Sequence, residues 1–165
     1  MKSSKVYITD YIDNPDIERE ILNTNLSDVF HEDIEVLLVW HENITKEYIE
    51  KLTKLKGIVR YGVGYENIDV AFAKAKGIYV CNTPDYGVDE VSDTAIGMIM
   101  NIVRGITRYD SQCRGYQDTY QEHTIHSIRR TSEYVLGVIG AGRIGGSILL
   151  KGNALHLQTV FYDPY

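Results

Sequence analysis

Short β-branched runs alternate with helical stretches along the first half of the chain, the pattern that an open, mostly parallel α/β sheet requires. Val6 to Thr9 predicts a first strand after a charged start. A helix follows, opened by Asp13, Asn14 and Pro15; proline suits the first helical turn, and Asp16 and Glu18 favour the positive end of the dipole. Val36 to Trp40 is a continuous apolar run, the signature of a strand buried on both faces. Thr45 can then cap a helix continuing through Tyr48, Ile49 and Leu52. Gly57 to Arg60 predicts the next strand, leading into Tyr61-Gly62-Val63-Gly64, and Asp69 starts a short helix that ends at Gly77, where a left-handed cap is wanted. Ile78 to Cys81 is a further strand, closed by the turn-rich run Asn82 to Gly87.

The second half changes rhythm. From Glu90 to about Arg108 the pattern is helical, with Val91, Ala95, Ile99, Ile102 and Ile106 on one face and Met98, Met100 and Val103 widening it. So wide a stripe needs cover from a second domain or a partner subunit. Residues 110 to 133 are polar and weakly periodic, a connecting arm with room for a short helix. Tyr134 to Ile139 is a strand that runs into Gly140-Ala141-Gly142-Arg143-Ile144-Gly145, followed by a helical stretch and a last strand, Thr159 to Tyr162. That is a βαβ unit. Gly146, Gly152 and Asn153 predict that its helix is short or broken near Gly152, because interior glycines each cost about 1 kcal/mol relative to alanine. A lone βαβ unit cannot cover its own sheet edge or bury both faces, so further chain, a second copy or an exchanged arm is expected to pack there.

Composition narrows the classes. Hydrophobic residues make up 44% and charged residues 24% of the 165, ordinary for a folded soluble domain and too apolar for disorder. Net charge is -6, pI is near 5.3, and no Lys/Arg run supplies the basic stripe that nucleic acid or an anionic membrane requires. No apolar run reaches membrane-spanning length and the N-terminus is no signal peptide. Cys81 and Cys113 have no metal-ligand spacing, so they read as free thiols in a reducing, cytoplasmic compartment, and no metal site is expected. Thirteen tyrosines against three phenylalanines suit half-exposed surfaces, or reflect compositional drift.

The glycine run carries the chemistry. A GxGxxG alone is a weak signal, but this one follows a strand, opens a helix, and has Asp163 at the end of the next strand, eighteen residues after Gly145. Gly140 permits the tight turn, Gly142 lets the backbone approach a pyrophosphate, and Gly145 lets helix and strand pack closely. The free N–H groups near Arg143 and Ile144 form an anion site with the helix dipole. Asp163 can accept hydrogen bonds from adenosine ribose hydroxyls and repel a 2′-phosphate, which favours NAD over NADP. A P-loop is excluded, because no Lys-Ser or Lys-Thr pair follows the glycines.

Four blocks in order resemble the D-isomer-specific 2-hydroxyacid dehydrogenases: Arg60 to Asp69, Gly77 to Pro84, Glu90 to Ala95, and Leu136 to Gly145 with Tyr162 to Tyr165. The resemblance covers roughly residues 35 to 165, and Val39-Trp40-His41 with Ile44-Thr45 is most similar to the branch containing the C-terminal-binding-protein corepressors. It implies a flavodoxin-like parallel-sheet substrate domain over residues 1–109, a connecting arm over 110–133, and over 134–165 the first βαβ unit of a Rossmann NAD-binding domain. It further implies that Val63 and Gly64 offer backbone N–H groups to a substrate carboxylate, with Val63 beside the nicotinamide. Arg143, Ile144 and Asp163 would contact the dinucleotide along with the three fingerprint glycines. His41 is a candidate for facing the cleft, with a structural role as the alternative.

Against the family pattern, Leu22 to Glu35 leaves little room for the usual strand and helix, with Leu26 to Phe30 as a shortened strand. The family's carboxylate-clamping arginine and its Glu–His acid–base pair lie beyond the last residue, and His31, His41, His123, His126 and His156 do not sit in their context. No catalytic residue is therefore assigned. Loss of general acid catalysis typically costs roughly 100- to 10,000-fold, so a truncated chain is expected to be inactive or nearly so. The leading reading is an NAD-dependent oxidoreductase acting on a small 2-keto or 2-hydroxy acid, as a homodimer. The alternatives are a non-catalytic NAD-responsive protein-binding module, like the corepressors, and a degenerate product held together by oligomerisation.

Overall fold

In the computed structural model the residues described are 5–10, 12, 14–115 and 128–165. Asp13, His123, His126 and the middle of the connecting arm lie outside them. The chain divides into two compact units, Met1–Pro84 and Asp85–Tyr165.

In the first unit the apolar runs pair as parallel strands β1 (Val6–Ile8), β2 (Leu26–Ser27), β3 (Val36–Val39), β4 (Gly57–Arg60) and β5 (Tyr79–Cys81), in the order β2-β1-β3-β4-β5. That is the flavodoxin-like order, in which the sheet reverses direction of growth at the β1/β3 junction. Of the shortened strand expected over Leu26 to Phe30, only Leu26–Ser27 forms, as β2. In β3 burial alternates: Leu37 and Val39 are fully buried while Val36 and Leu38 are only partly so. One face therefore carries the core, where Leu37, Val39 and Ile58 join Ile34, Ile44, Leu52 and Ala73. The helices of this unit are α1 (Asp16–Leu22), α2 (Lys46–Ile49) and α3 (Val70–Ala75). Thr45 caps α2 by accepting from Tyr48 N, and Asp69 caps α3 by accepting from Phe72 N. α3 ends as expected on left-handed Gly77 (φ 73°), with Ile78 N bonded back to Ala73 O.

In the second unit α4 (Val88–Arg104) and α5 (Ile106–Arg114) replace the single long helix that periodicity suggests. Gly105 adopts φ 64° between them, and Asn101 Oδ1 accepts from both Thr107 N and Thr107 Oγ1. Strand β6 (Val135–Ile139), helix α6 (Arg143–Ala154) and strand β7 (Gln158–Tyr162) complete a parallel βαβ unit. Helix α6 is unbroken at Gly152. A Cβ there would stand 2.5 Å from Leu136 Cδ2, so the glycine serves close packing on β6. The helix ends on His156, left-handed at φ 63°, with Leu157 N bonded to Gly152 O and the Leu157 side chain buried. No helix among the described residues is long and apolar enough to cross a membrane.

Left-handed backbone costs an L-residue roughly 1–2 kcal/mol that glycine escapes. His156→Gly should therefore raise stability by about 1 kcal/mol, read as greater hydrogen-exchange protection in β7. A second test concerns Glu35, whose carboxylate holds the entry ends of three strands through Lys5 Nζ (2.5 Å) and Lys56 Nζ (2.6 Å). The hydrogen bond from Lys5, then that from Lys56, lowers its pKa to about 2. A depressed folded-state pKa stabilises above the unfolded value and is lost as pH falls through the folded one. Wild type should thus lose stability from about pH 4.5 down to about 2. Glu35→Gln should be less stable at neutral pH and show a shallower acid slope in thermal melts.

Candidate functional site

Each parallel strand of the first unit ends at the same edge, and the loops leaving that edge hold the polar groups. After β1 the Asp10 carboxylate accepts from the N–H groups of Trp40 (3.3 Å), His41 and Glu42 (2.6 Å), all in the turn after β3, and from Thr9 Oγ1. Burial pushes its pKa up, but the hydrogen bonds from Thr9 and from His41, Trp40 and Glu42 N–H outweigh this and hold it below the usual range. His41 is exposed, its ring 4.6 Å from that of Trp40.

The Gly62-Val63-Gly64 loop leaves β4. Asn82, following β5, holds it by donating to Val63 O at 2.8 Å, while Thr83 N donates to Gly62 O at 3.2 Å. Val63 is half exposed, and neither its N–H nor that of Gly64 has an acceptor among the described residues. A Cβ at Gly62 would stand 2.3 Å from Arg60 Nη1, so a bare backbone makes room for the guanidinium. Arg60 lies with Cζ 4.8 Å above the Trp40 ring, and its Nε and Nη1 are buried without a hydrogen-bond partner among the described residues. A buried donor left unpaired costs roughly 1–3 kcal/mol, more when charged, so this guanidinium is suited to an anion. Sequence reasoning passed over Arg60, Trp40 and Asp10. The available signal was a charged residue ending an apolar strand just before a glycine loop; the Asp10 contact, thirty residues away along the chain, had none.

In the second unit, Gly140 sits at φ 86° after β6, and its N–H donates to Tyr162 O at 2.8 Å. Gly142 precedes α6 with open space where its Cβ would be, and no side chain caps the helix. The first helical N–H groups, those of Arg143, Ile144 and Gly145, therefore have no acceptor among the described residues. Gly145 is buried, and a Cβ on it would fall 1.9 Å from Gly140 O. Asp163 leaves β7 and folds back on this loop, accepting from Ala141 N at 2.6 Å through Oδ2 and from Tyr165 N at 3.0 Å through Oδ1. Arg143 Nε pairs with Asp85 Oδ1 at 2.6 Å on the surface. The uncapped amides, the open space at Gly142 and the acceptor at Asp163 fit a dinucleotide.

A parallel sheet ordered β2-β1-β3-β4-β5, together with a βαβ unit carrying a glycine fingerprint, defines an α/β protein with a motif of the dinucleotide-binding type. Residues 2–146 match the model of the D-isomer specific 2-hydroxyacid dehydrogenase catalytic domain, and the chain belongs to that family. It is 38% identical over 135 residues to D-3-phosphoglycerate dehydrogenase of Methanocaldococcus jannaschii, covering 81% of this chain and 25% of that protein. It is 32% identical over 145 residues to C-terminal-binding protein 1 of Caenorhabditis elegans, covering 83% and 19%. Among solved structures, D-lactate dehydrogenase from Aquifex aeolicus, complexed with NAD and lactic acid, superposes with TM-score 0.79 at 24% identity, over 97% of this chain and 51% of that one. An NAD-binding D-isomer specific 2-hydroxyacid dehydrogenase homologue from Polaromonas gives 0.76 at 28%, over 98% and 56%. The chain thus spans about half the length of these structures and a quarter or less of the two protein relatives.

The glycines of the fingerprint separate by experiment. Gly145→Ala drives a methyl into backbone and should destabilise the second unit by about 1–3 kcal/mol or more, whereas Gly142→Ala meets nothing and should leave stability nearly unchanged. Thermal denaturation followed by circular dichroism distinguishes the two; equal losses would contradict the geometry.

Proposed function

We propose that this chain carries the carboxylate-binding loop and the dinucleotide fingerprint of an NAD-dependent oxidoreductase that interconverts 2-keto and D-2-hydroxy acids. The observation that carries the reading is an uncapped helix N-terminus behind left-handed Gly140, joined in one βαβ unit to the Asp163 carboxylate. Amides of Arg143, Ile144 and Gly145 take the pyrophosphate, with Gly140 and Gly142 leaving room for it. A carboxylate offers about four acceptor positions, so Asp163 keeps two for the ribose hydroxyls after its two backbone bonds. Its negative charge opposes a 2′-phosphate. The nicotinamide, when bound, supplies a hydride to C2 of the keto acid. Val63 and Gly64 hold the substrate carboxylate through their N–H groups, Val63 also touches the cofactor, Arg60 supplies positive charge, and His41 lies on the substrate side.

Within this reading, residues 1–109 form the substrate domain, 110–133 the arm and 134–165 the first part of the NAD-binding domain. None of the chain's histidines takes the proton-transfer role, so the chain by itself binds nucleotide better than it turns over substrate. The exposed side chains of Val91, Met98 and Ile102 on α4 and of Ile106 on α5 support a homodimer, and the free Cys81 and Cys113 support a reducing, cytoplasmic compartment. The similarity to C-terminal-binding protein 1 supports a second reading, an NAD-responsive module that binds protein without catalysis. NADH oxidation by the longest natural reading frame, in the presence of 2-keto acids, separates the two.

Titration of NADH fluorescence tests the nucleotide assignment. Asp163→Ala should weaken NADH by about 10- to 100-fold, the worth of hydrogen bonds to a charged group, and narrow the gap to NADPH. A variant that binds both like wild type removes Asp163 from the site.

A further inference from the structure

We propose that Asp10 is a positioning residue for the carboxylate site: its carboxylate fixes the turn after β3 so that Trp40 lies under Arg60 and presents the guanidinium to a substrate anion. The inference rests on the substrate-site reading above and assigns a residue that does not itself touch the ligand.

In open α/β sheets a ligand enters the crevice where strand order reverses, which here lies between β1 and β3. Asp10 bridges the two sides of that crevice. Asp10, from the end of β1, offers Oδ1 to Trp40 N and Oδ2 to His41 N and Glu42 N, three successive amides of the kind that elsewhere cradle a bound anion. Thr9 reinforces the arrangement, its N–H donating to Leu38 O at 3.0 Å and its Oγ1 to Asp10. An internal carboxylate thus takes the acceptor position at the switch point, and the guanidinium whose buried nitrogens lack partners among the described residues stands one strand along, on Arg60 at the end of β4.

Arg60 needs such support. With Nε and Nη1 unpartnered among the described residues, the guanidinium lacks a carboxylate fork there, and the Trp40 face is a contact that can orient it. The indole in turn stands where Asp10 holds its backbone. A carboxylate facing the substrate would repel it, whereas the three amides that occupy Asp10 leave Arg60 to meet the substrate carboxylate. The carboxylate at position 10 therefore helps anion binding through geometry, against the sign of its own charge.

Trp40 is the only tryptophan of the chain, so its emission reports the stack directly. Arg60→Met should change the emission maximum and acrylamide quenching of the ligand-free wild-type chain. In an Asp10→Ala background the same replacement should change little, because the stack is already lost. Asp10→Asn keeps one accepting oxygen, provides the folded comparison if Asp10→Ala does not fold, and should give an intermediate effect. An Arg60→Met effect undiminished in both folded Asp10 variants overturns the proposal. Titration with oxamate, a transparent mimic of a 2-keto acid, adds the functional arm. Saturable binding to wild type that weakens about tenfold in Asp10→Asn, with unchanged far-ultraviolet circular dichroism, supports positioning. Wild-type affinity in Asp10→Asn overturns it. No oxamate binding to wild type defeats the substrate-site reading and the anion role built on it, even where the emission cycle links Asp10 to the Trp40–Arg60 stack.

Discussion

A parallel ladder obliges every strand to leave its sheet at the same edge, because each must be re-entered from the opposite end through a crossover. In this chain almost everything with chemistry lies in loops that leave that edge. Asp10 follows β1, Trp40 and His41 follow β3, Arg60 to Gly64 close β4, and Asn82 follows β5. The βαβ unit repeats the logic on a smaller scale, with Gly140 after β6 and Asp163 after β7. Register does the rest. The pairing of Val39 with Arg60 and of Ile139 with Tyr162 brings residues distant in sequence within reach, and single hydrogen bonds such as Tyr61 N to Val39 O then fix the loop mouths.

The two units meet this constraint with different amounts of apolar cover. In the first, Ile34, Leu37, Val39, Ile44 and Ile58 are fully inaccessible, and α2 and α3 contribute Ile49 and Ala73 to the same cluster. In the second, burial falls on Val103, Leu157, Ser92 and two glycines, while Val135, Ile139, Val160 and Tyr162 remain exposed along one face of a two-stranded sheet. Two strands with one helix are marginal in water, so α4 matters. Ser92, fully buried, meets Ser147 Oγ at 3.1 Å and Lys151 Nζ at 2.6 Å, and Lys151 reaches Asp93 at 2.7 Å, a polar clamp that holds α4 against α6. Hydrogen bonding thus supplements hydrophobic cover in the unit that carries the nucleotide fingerprint.

What could be read without the structure follows from how far each determinant reaches along the chain. Strands announced by β-branched runs and caps set by one residue, such as Thr45, Asp69 and Gly77, are local, and they appear close to where they were expected. Gly105 and Gly152 show the limit of local reasoning, since the same residue type breaks one helix and sits inside another. The difference lies in surroundings: Gly105 is free to turn left-handed, whereas Gly152 is pressed against Leu136. The fingerprint glycines and Asp163 were legible because their spacing is itself the motif. Arg60 and Asp10 were not, because their meaning depends on partners brought close only by pairing of β1, β3 and β4.

That difference bears on how such a site is specified. A glycine fingerprint encodes an anion site in consecutive backbone groups, so a short segment suffices and nearly any supporting sheet will serve. The proposed carboxylate site draws on four strand ends, and each contribution is conditional on another: the Gly62 to Gly64 backbone on Asn82, Arg60 on Trp40, and Trp40 on Asp10. Conditional contributions couple, so replacements within the chain of contacts are expected to be non-additive, unlike replacements at well-separated sites. The cost of such an arrangement is fragility. Its gain is a guanidinium held with two donors unspent, which a free arginine on a loop would satisfy with water, and which a bound carboxylate can satisfy here.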